Sequence, residues 1–158
     1  MRIVILFLLF SFCVHSQNKN FTIEEKLIVW KYVYEDSTNV SELRNSPRLE
    51  FKTDSTGYIK KTNFEDKHLN QLTGEFTIES KKGKYRVSVL NIKFYVEPVG
   101  LASGGITMQT ISEFTIEKSL IKSDGSIRKS SMGYNLTETL NPHFVDLFTI
   151  KKKIKSEW

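Results

Sequence analysis

The sequence predicts an α+β fold, an antiparallel sheet with helices laid against it, and three observations carry that prediction. Two alternating runs flank a lysine and glycine turn between Gly74 and Val96. A second run, Lys26 to Tyr34, is dense in β-branched and aromatic residues on both parities, as in a strand covered on both sides. Near the C-terminus, Phe144, Leu147, Phe148, Lys151, Ile154 and Trp158 recur at helical spacing.

Met1 to Ser16 reads as a secretory signal peptide: Arg2, the apolar run Ile3 to Phe10, then Val14-His15-Ser16 before the cut. Cys13 is the single cysteine, and Phe12 is too bulky for the residue before a lipidated cysteine. Cleavage after Ser16 removes this thiol and with it any disulfide or cysteine metal site. Of 158 residues, 142 then remain, enough for one domain with a core of its own. No other run approaches the roughly 20 apolar residues of a spanning helix. The net charge of +5 falls to +4 once Arg2 is lost, a mild excess without the dense basic stripe of a nucleic-acid binder. Three segments are expected: the signal peptide 1–16, a flexible leader 17–25, and a single domain 26–158.

Within the domain, Lys26 to Tyr34 is the inner strand. Asn39-Val40-Ser41-Glu42 has capping-box spacing, and Pro47 limits the helix that follows to about two turns, with Val40 and Leu43 buried. Asp54-Ser55-Thr56-Gly57 separates two short strands, and the preferred register sets Phe51 against Ile59 and Glu50 against Lys60. Asn63 to Thr73 reads as a connection. In the central hairpin, a Lys82-Gly83 loop places Ile78 opposite Val87 and Phe76 opposite Val89. The same register sets Glu79 against Arg86 and Thr77 against Ser88 on the other face. A one-residue slip puts every apolar side chain opposite a polar one, so the pattern selects its own pairing. Inward parity is odd through Val89 and even from Leu90, which predicts a β-bulge, and hence curvature, near Leu90 and Asn91.

Pro98 ends that strand, and Val99 to Gly105 is a loop of small residues. Ile106, Met108, Thr110, Phe114 and Ile116 alternate as a further strand, and Lys122 to Tyr134 reads as turn and loop. Asn141-Pro142 has the form of a cap and first-turn proline, opening a C-terminal helix. Its apolar stripe faces the sheet, and Lys151, Lys152, Lys153 and Lys155 sit at the negative end of its dipole.

These pieces, above all Gly83-Lys84-Tyr85-Arg86-Val87 followed by Asn91-Ile92, resemble a family of small uncharacterised exported proteins of Bacteroidetes. Leu27 to Tyr34, Glu42-Leu43, Phe144 to Phe148 and Trp158 extend the resemblance over nearly the whole mature chain. The family carries a domain of unknown function with a TATA-binding-protein-like (TBP-like) fold. The resemblance implies a strongly curved antiparallel sheet with two helices on one face. It brings no activity, catalytic residue or ligand, and a fold name does not imply DNA binding.

No chemical motif stands out. His68 and His143 are isolated, without metal-ligand spacing, and no nucleophile elbow or P-loop is present. Glu65-Asp66 and the pair Glu113 and Glu117 are the carboxylates available for acid–base work, and solvated surface charge accounts for them better. The Asn20, Asn39 and Asn135 sequons have no glycosylation machinery in a bacterial exporter. The expectation is therefore a non-enzymatic envelope module, periplasmic or extracellular, with no cofactor or metal and no nucleic-acid partner. It binds or scaffolds an envelope protein or ligand through the sheet face that the helices leave open. Thr77, Glu79, Arg86 and Ser88 are the residues assigned to that face. The alternative is a small-molecule or lipid carrier with an apolar pocket between sheet and C-terminal helix, gated by the Gly100 to Gly105 loop.

Overall fold

The structure, a computed structural model, describes residues 20–35, 39–62, 71–96, 112–128, 130 and 135–151. They form an antiparallel sheet with its helices on one face. The strands are β1 (Phe21–Glu24), β2 (Leu27–Tyr34), β3 (Leu49–Phe51), β4 (Thr56–Thr62), β5 (Gln71–Lys81), β6 (Lys84–Val96) and β7 (Ser112–Thr115). Their order is β1-β2-β6-β5-β4-β3. The long β6 pairs β2 along its first half and β7 along its second, so both lie on the side away from β5.

The β5–β6 hairpin has the register its alternation demands: Ile78 with Val87, Phe76 with Val89, Glu79 with Arg86, Thr77 with Ser88. Gly83 supplies the turn with a φ of 78°, which an L side chain resists. The ladder shifts where Thr73 meets Lys93 and Glu75 meets Leu90, and Asn91 takes a φ of 52°. This is the expected bulge. It carries the inward set from Val89 to Ile92, while Leu90 stays half-buried on the opposite face.

Three short helical segments cover the inner face. A 3-10 helix (Val40–Asn45) starts at Asn39, whose side chain accepts a hydrogen bond from the Ser41 amide at 3.1 Å, and buries Leu43. Helix α1 (Ile116–Leu120) buries Ile116 and Leu120, and α2 (Leu136–Leu147) buries Leu136, Leu140, Phe144 and Leu147. Phe144 and Phe148 sit on the sheet core, with ring centroids 5.3 Å from Trp30 and 5.3 Å from Phe76 respectively. Tyr34 and Tyr85 stack at 4.6 Å beside them. A helix end leaves its last carbonyls without partners. Here the sheet satisfies them: the Tyr85 hydroxyl donates to the Phe148 carbonyl at 2.7 Å, and the Tyr34 hydroxyl to those of Val145 at 3.1 Å and Phe144 at 3.3 Å.

Several expectations are corrected. Residues 21–24 do not belong to a flexible leader: they form β1, pairing Phe21 with Trp30 and burying the Phe21 ring. Phe51 pairs with Gly57, and Leu49 with Ile59, so the β3–β4 register differs by two residues from the one preferred on charge. Gly57 explains the difference. A Cβ there would lie 2.1 Å from the Glu50 carbonyl oxygen and 2.6 Å from the Phe76 ring, so only glycine fits in this pair. Gln71 to Thr73 are strand rather than connection, with Leu72 fully buried. Ile116 opens a helix instead of ending a strand.

The C-terminal helix begins five residues before Asn141, and Pro142 lies inside it. An interior proline costs about 3 kcal/mol. Burying Leu136 and Leu140 returns about 1.5–3 kcal/mol each, enough to offset it. The helix ends at Leu147, so Lys151 lies past it and meets Asp146 at 3.4 Å instead of the helix dipole. The signal peptide, Gly100 to Gly105, Ile106 to Thr110, and residues 152–158 lie outside the described residues.

Candidate interaction face

Strand alternation sends every second side chain to the face the helices do not cover. On β5 these are Gln71, Thr73, Glu75, Thr77, Glu79 and Lys81; on β6, Lys84, Arg86, Ser88 and Leu90, then Lys93 and Tyr95 beyond the bulge. β2 adds Lys31 opposite Ser88 and Val33 opposite Arg86. The four residues assigned from sequence are thus adjacent on one surface, in two cross-strand pairs. Arg86 and Glu79 form an ion pair at 2.6 Å, with side chains 46% and 53% exposed.

Further ion pairs cross the same face. Lys31 binds Glu24 of β1 at 2.5 Å, and Lys93 binds Glu113 of β7 at 2.7 Å. Hydrogen bonding from Lys31 holds the Glu24 carboxyl below its ordinary range, and Lys93 does the same for Glu113. Glu113 in turn raises Lys93. The Lys61 ammonium lies 3.9 Å from the centre of the Tyr95 ring. Sequence reasoning misses Lys31, Val33, Lys93 and Tyr95 as members of this face. Alternation within each strand signals their parity, but only the pairing of β6 with β2 and β7 brings them alongside Arg86 and Glu113.

The carboxylates considered for acid–base work do not form a pair. Glu113 is engaged by Lys93, whereas Glu117, on α1, accepts a hydrogen bond from the Ile28 amide at 3.0 Å and so ties α1 to β2. Asn141 is likewise structural, since its side-chain oxygen accepts from Trp30 Nε1 at 2.9 Å and from Asn20 Nδ2 at 2.6 Å. His143 is half-buried on α2; burial, reinforced by Arg48 and opposed by Asp146, pushes its imidazole down to about 4. Glu65, Asp66 and His68 lie outside the described residues. Among the described residues, no group of three His, Cys, Asp or Glu side chains is placed to hold a metal ion.

Aromatic rings fill the seam between the sheet and α2, where the carrier reading places its pocket. A cleft of about 470 Å³ opens instead beside the helix end, lined by Leu43, Arg48, Asp146, Leu147, Ile150 and Lys151 among others. No described helix is long and apolar enough to cross a membrane.

No family model matches the chain, and no curated protein is significantly similar to it. Among solved structures, it is similar to a TBP-like protein from Parabacteroides distasonis, at 11% identity and a TM-score of 0.47. That similarity covers 80% of this chain and 94% of the other.

Proposed function

We propose that this protein is an exported, non-enzymatic binding or scaffolding module of the cell envelope that meets its partner through the open sheet face. One observation carries the reading: the 3-10 helix, α1 and α2 all bury their apolar residues on one side of the sheet, and the other side presents a mostly polar surface interrupted by Val33, Leu90 and Tyr95. A regular sheet surface with fixed register offers side chains at repeated, rigid spacings, which suits recognition. Export and a periplasmic or extracellular location rest on the sequence of residues 1–16. Membership of the exported Bacteroidetes family with a TBP-like domain of unknown function rests on the sequence resemblance alone. A non-enzymatic role is supported by the engagement of Glu113 and Glu117 in structural contacts.

The test is capture from the envelope fraction by the mature chain and by a variant with Thr77, Glu79, Arg86 and Ser88 all replaced by alanine. Loss of one stoichiometric partner in a variant that still unfolds cooperatively is the expected result. Unchanged capture by the folded variant would overturn the assignment of this face. The cleft beside α2 favours the carrier as a second reading, and native mass spectrometry of the purified chain tests it: a retained small molecule supports it, and a bare mass counts against it.

A further inference from the structure

The tip of the β5–β6 hairpin holds charges that the fold does not require. Lys81 stands directly opposite Lys84 in the last pair of the ladder, and Lys82 follows in the turn. Like charges placed opposite one another destabilise a sheet. The turn itself needs only Gly83. Lys84 lies 3.5 Å from Glu35 and Arg86 is held by Glu79, whereas Lys81 and Lys82 have no acidic partner among the described residues. Beside them, Val33 is the one large apolar side chain left exposed among the described residues, at 46%. On the β5 side the tip extends past β4, whose pairing with β5 starts at Thr56 and Thr77, whereas on the β6 side β2 accompanies it as far as Tyr34 opposite Tyr85.

Val33, Glu79, Lys81, Lys84, Tyr85 and Arg86 line a groove of about 210 Å³. That is smaller than the roughly 300–1,000 Å³ of pockets that enclose drug-sized ligands. It suits a group the size of a phosphate, with apolar matter continuing over Val33. A hairpin tip rich in lysine, two of them without an acidic partner among the described residues, near an exposed aliphatic side chain is the electrostatic and apolar complement of a lipid headgroup layer. We propose that this end of the open face docks on an anionic membrane surface, with Lys81, Lys82 and Lys84 level with the phosphates and Val33 against the glycerol region. The proposal rests on the reading of the open face as the interaction surface and names what its hairpin end meets.

Sedimentation of the mature chain with vesicles of equal parts phosphatidylglycerol and phosphatidylcholine tests it, with pure phosphatidylcholine vesicles as control. Binding is expected at low salt to the anionic vesicles only. Each basic residue near such a surface changes partitioning about fivefold, so the charge reversal Lys81→Glu lowers it more than tenfold. The same substitution sets a carboxylate opposite Lys84, so the melting temperature holds or rises. A stability defect therefore cannot explain a loss of binding. Absence of sedimentation with anionic vesicles overturns the proposal, as does wild-type binding by Lys81→Glu. Displacement by inorganic phosphate, beyond that caused by chloride at equal ionic strength, assigns the groove to a soluble anion and overturns the membrane as its source. Lys81→Glu leaves Thr77, Glu79, Arg86 and Ser88 in place. If vesicle binding is absent while envelope capture still depends on those four residues, only the membrane proposal falls. If capture is indifferent to them, the interaction face itself falls.

Discussion

Along β2 and β6, neighbouring residues belong to two different kinds of surface. Tyr34 and Tyr85 face inward, stack on one another and hydrogen-bond the end of α2; Val33 and Arg86, beside them, face solvent. The inner face is held by large rings, each worth several kcal/mol. The outer face is tied by exposed ion pairs worth about 0.2–1 kcal/mol each. Stability thus resides almost wholly on one side of the sheet. The side chains of the other side are free to be chosen for contact with something else.

The comparison breaks most visibly at Phe144, which packs against Trp30 and is fully buried. Phe144→Ala is expected to cost about 3–5 kcal/mol, read as a lower urea midpoint. Gly57→Ala should follow at about 1–3 kcal/mol or more, because the new methyl group meets the Glu50 carbonyl and the Phe76 ring.

A third expectation concerns pH. The His143 imidazole is pushed down to about 4 from its ordinary 6.5, so the unfolded chain takes up this proton more readily than the folded one. Its contribution to stability is complete above about pH 6.5 and is lost as the pH falls toward 4. Urea titrations across this window should show the fall, and His143→Gln should flatten it. The smallest effect belongs to the outer face. A double-mutant cycle on Glu79 and Arg86 should return a coupling of about 0.2–1 kcal/mol that shrinks with salt. A coupling of several kcal/mol would erase the distinction between the faces.

The same division explains what the sequence can reveal. The β5–β6 hairpin is legible because its apolar and charged alternations agree on one register, and the bulge follows from the change of parity after Val89. The β3–β4 register is not, because Glu50 and Lys60 suggest a charge pair, while the deciding constraint is the space at Gly57 between Glu50 and Phe76, a tertiary contact. β1 is hidden for a related reason: with Phe21 and Ile23 as its only apolar residues, it is strand because β2 lies beside it. Pro142 has the look of a helix start because local propensity places it there, and the burial of Leu136 and Leu140 overrides that preference. For the candidate face, two cross-strand pairs are readable within one hairpin. The contributions of β2 and β7 are not, since nothing local in a strand names a partner distant in sequence.

The aromatic seam also dictates when the molecule can close. Asn20 meets Asn141, Trp30 meets Asn141, and Tyr34 meets Phe144, at separations of 121, 111 and 110 residues. The first strands therefore cannot complete their packing until almost the entire chain has emerged. Contacts of such long range slow folding. That delay keeps the lengthening polypeptide slack until α2 is present, so the architecture that stabilises the finished protein also postpones its own formation.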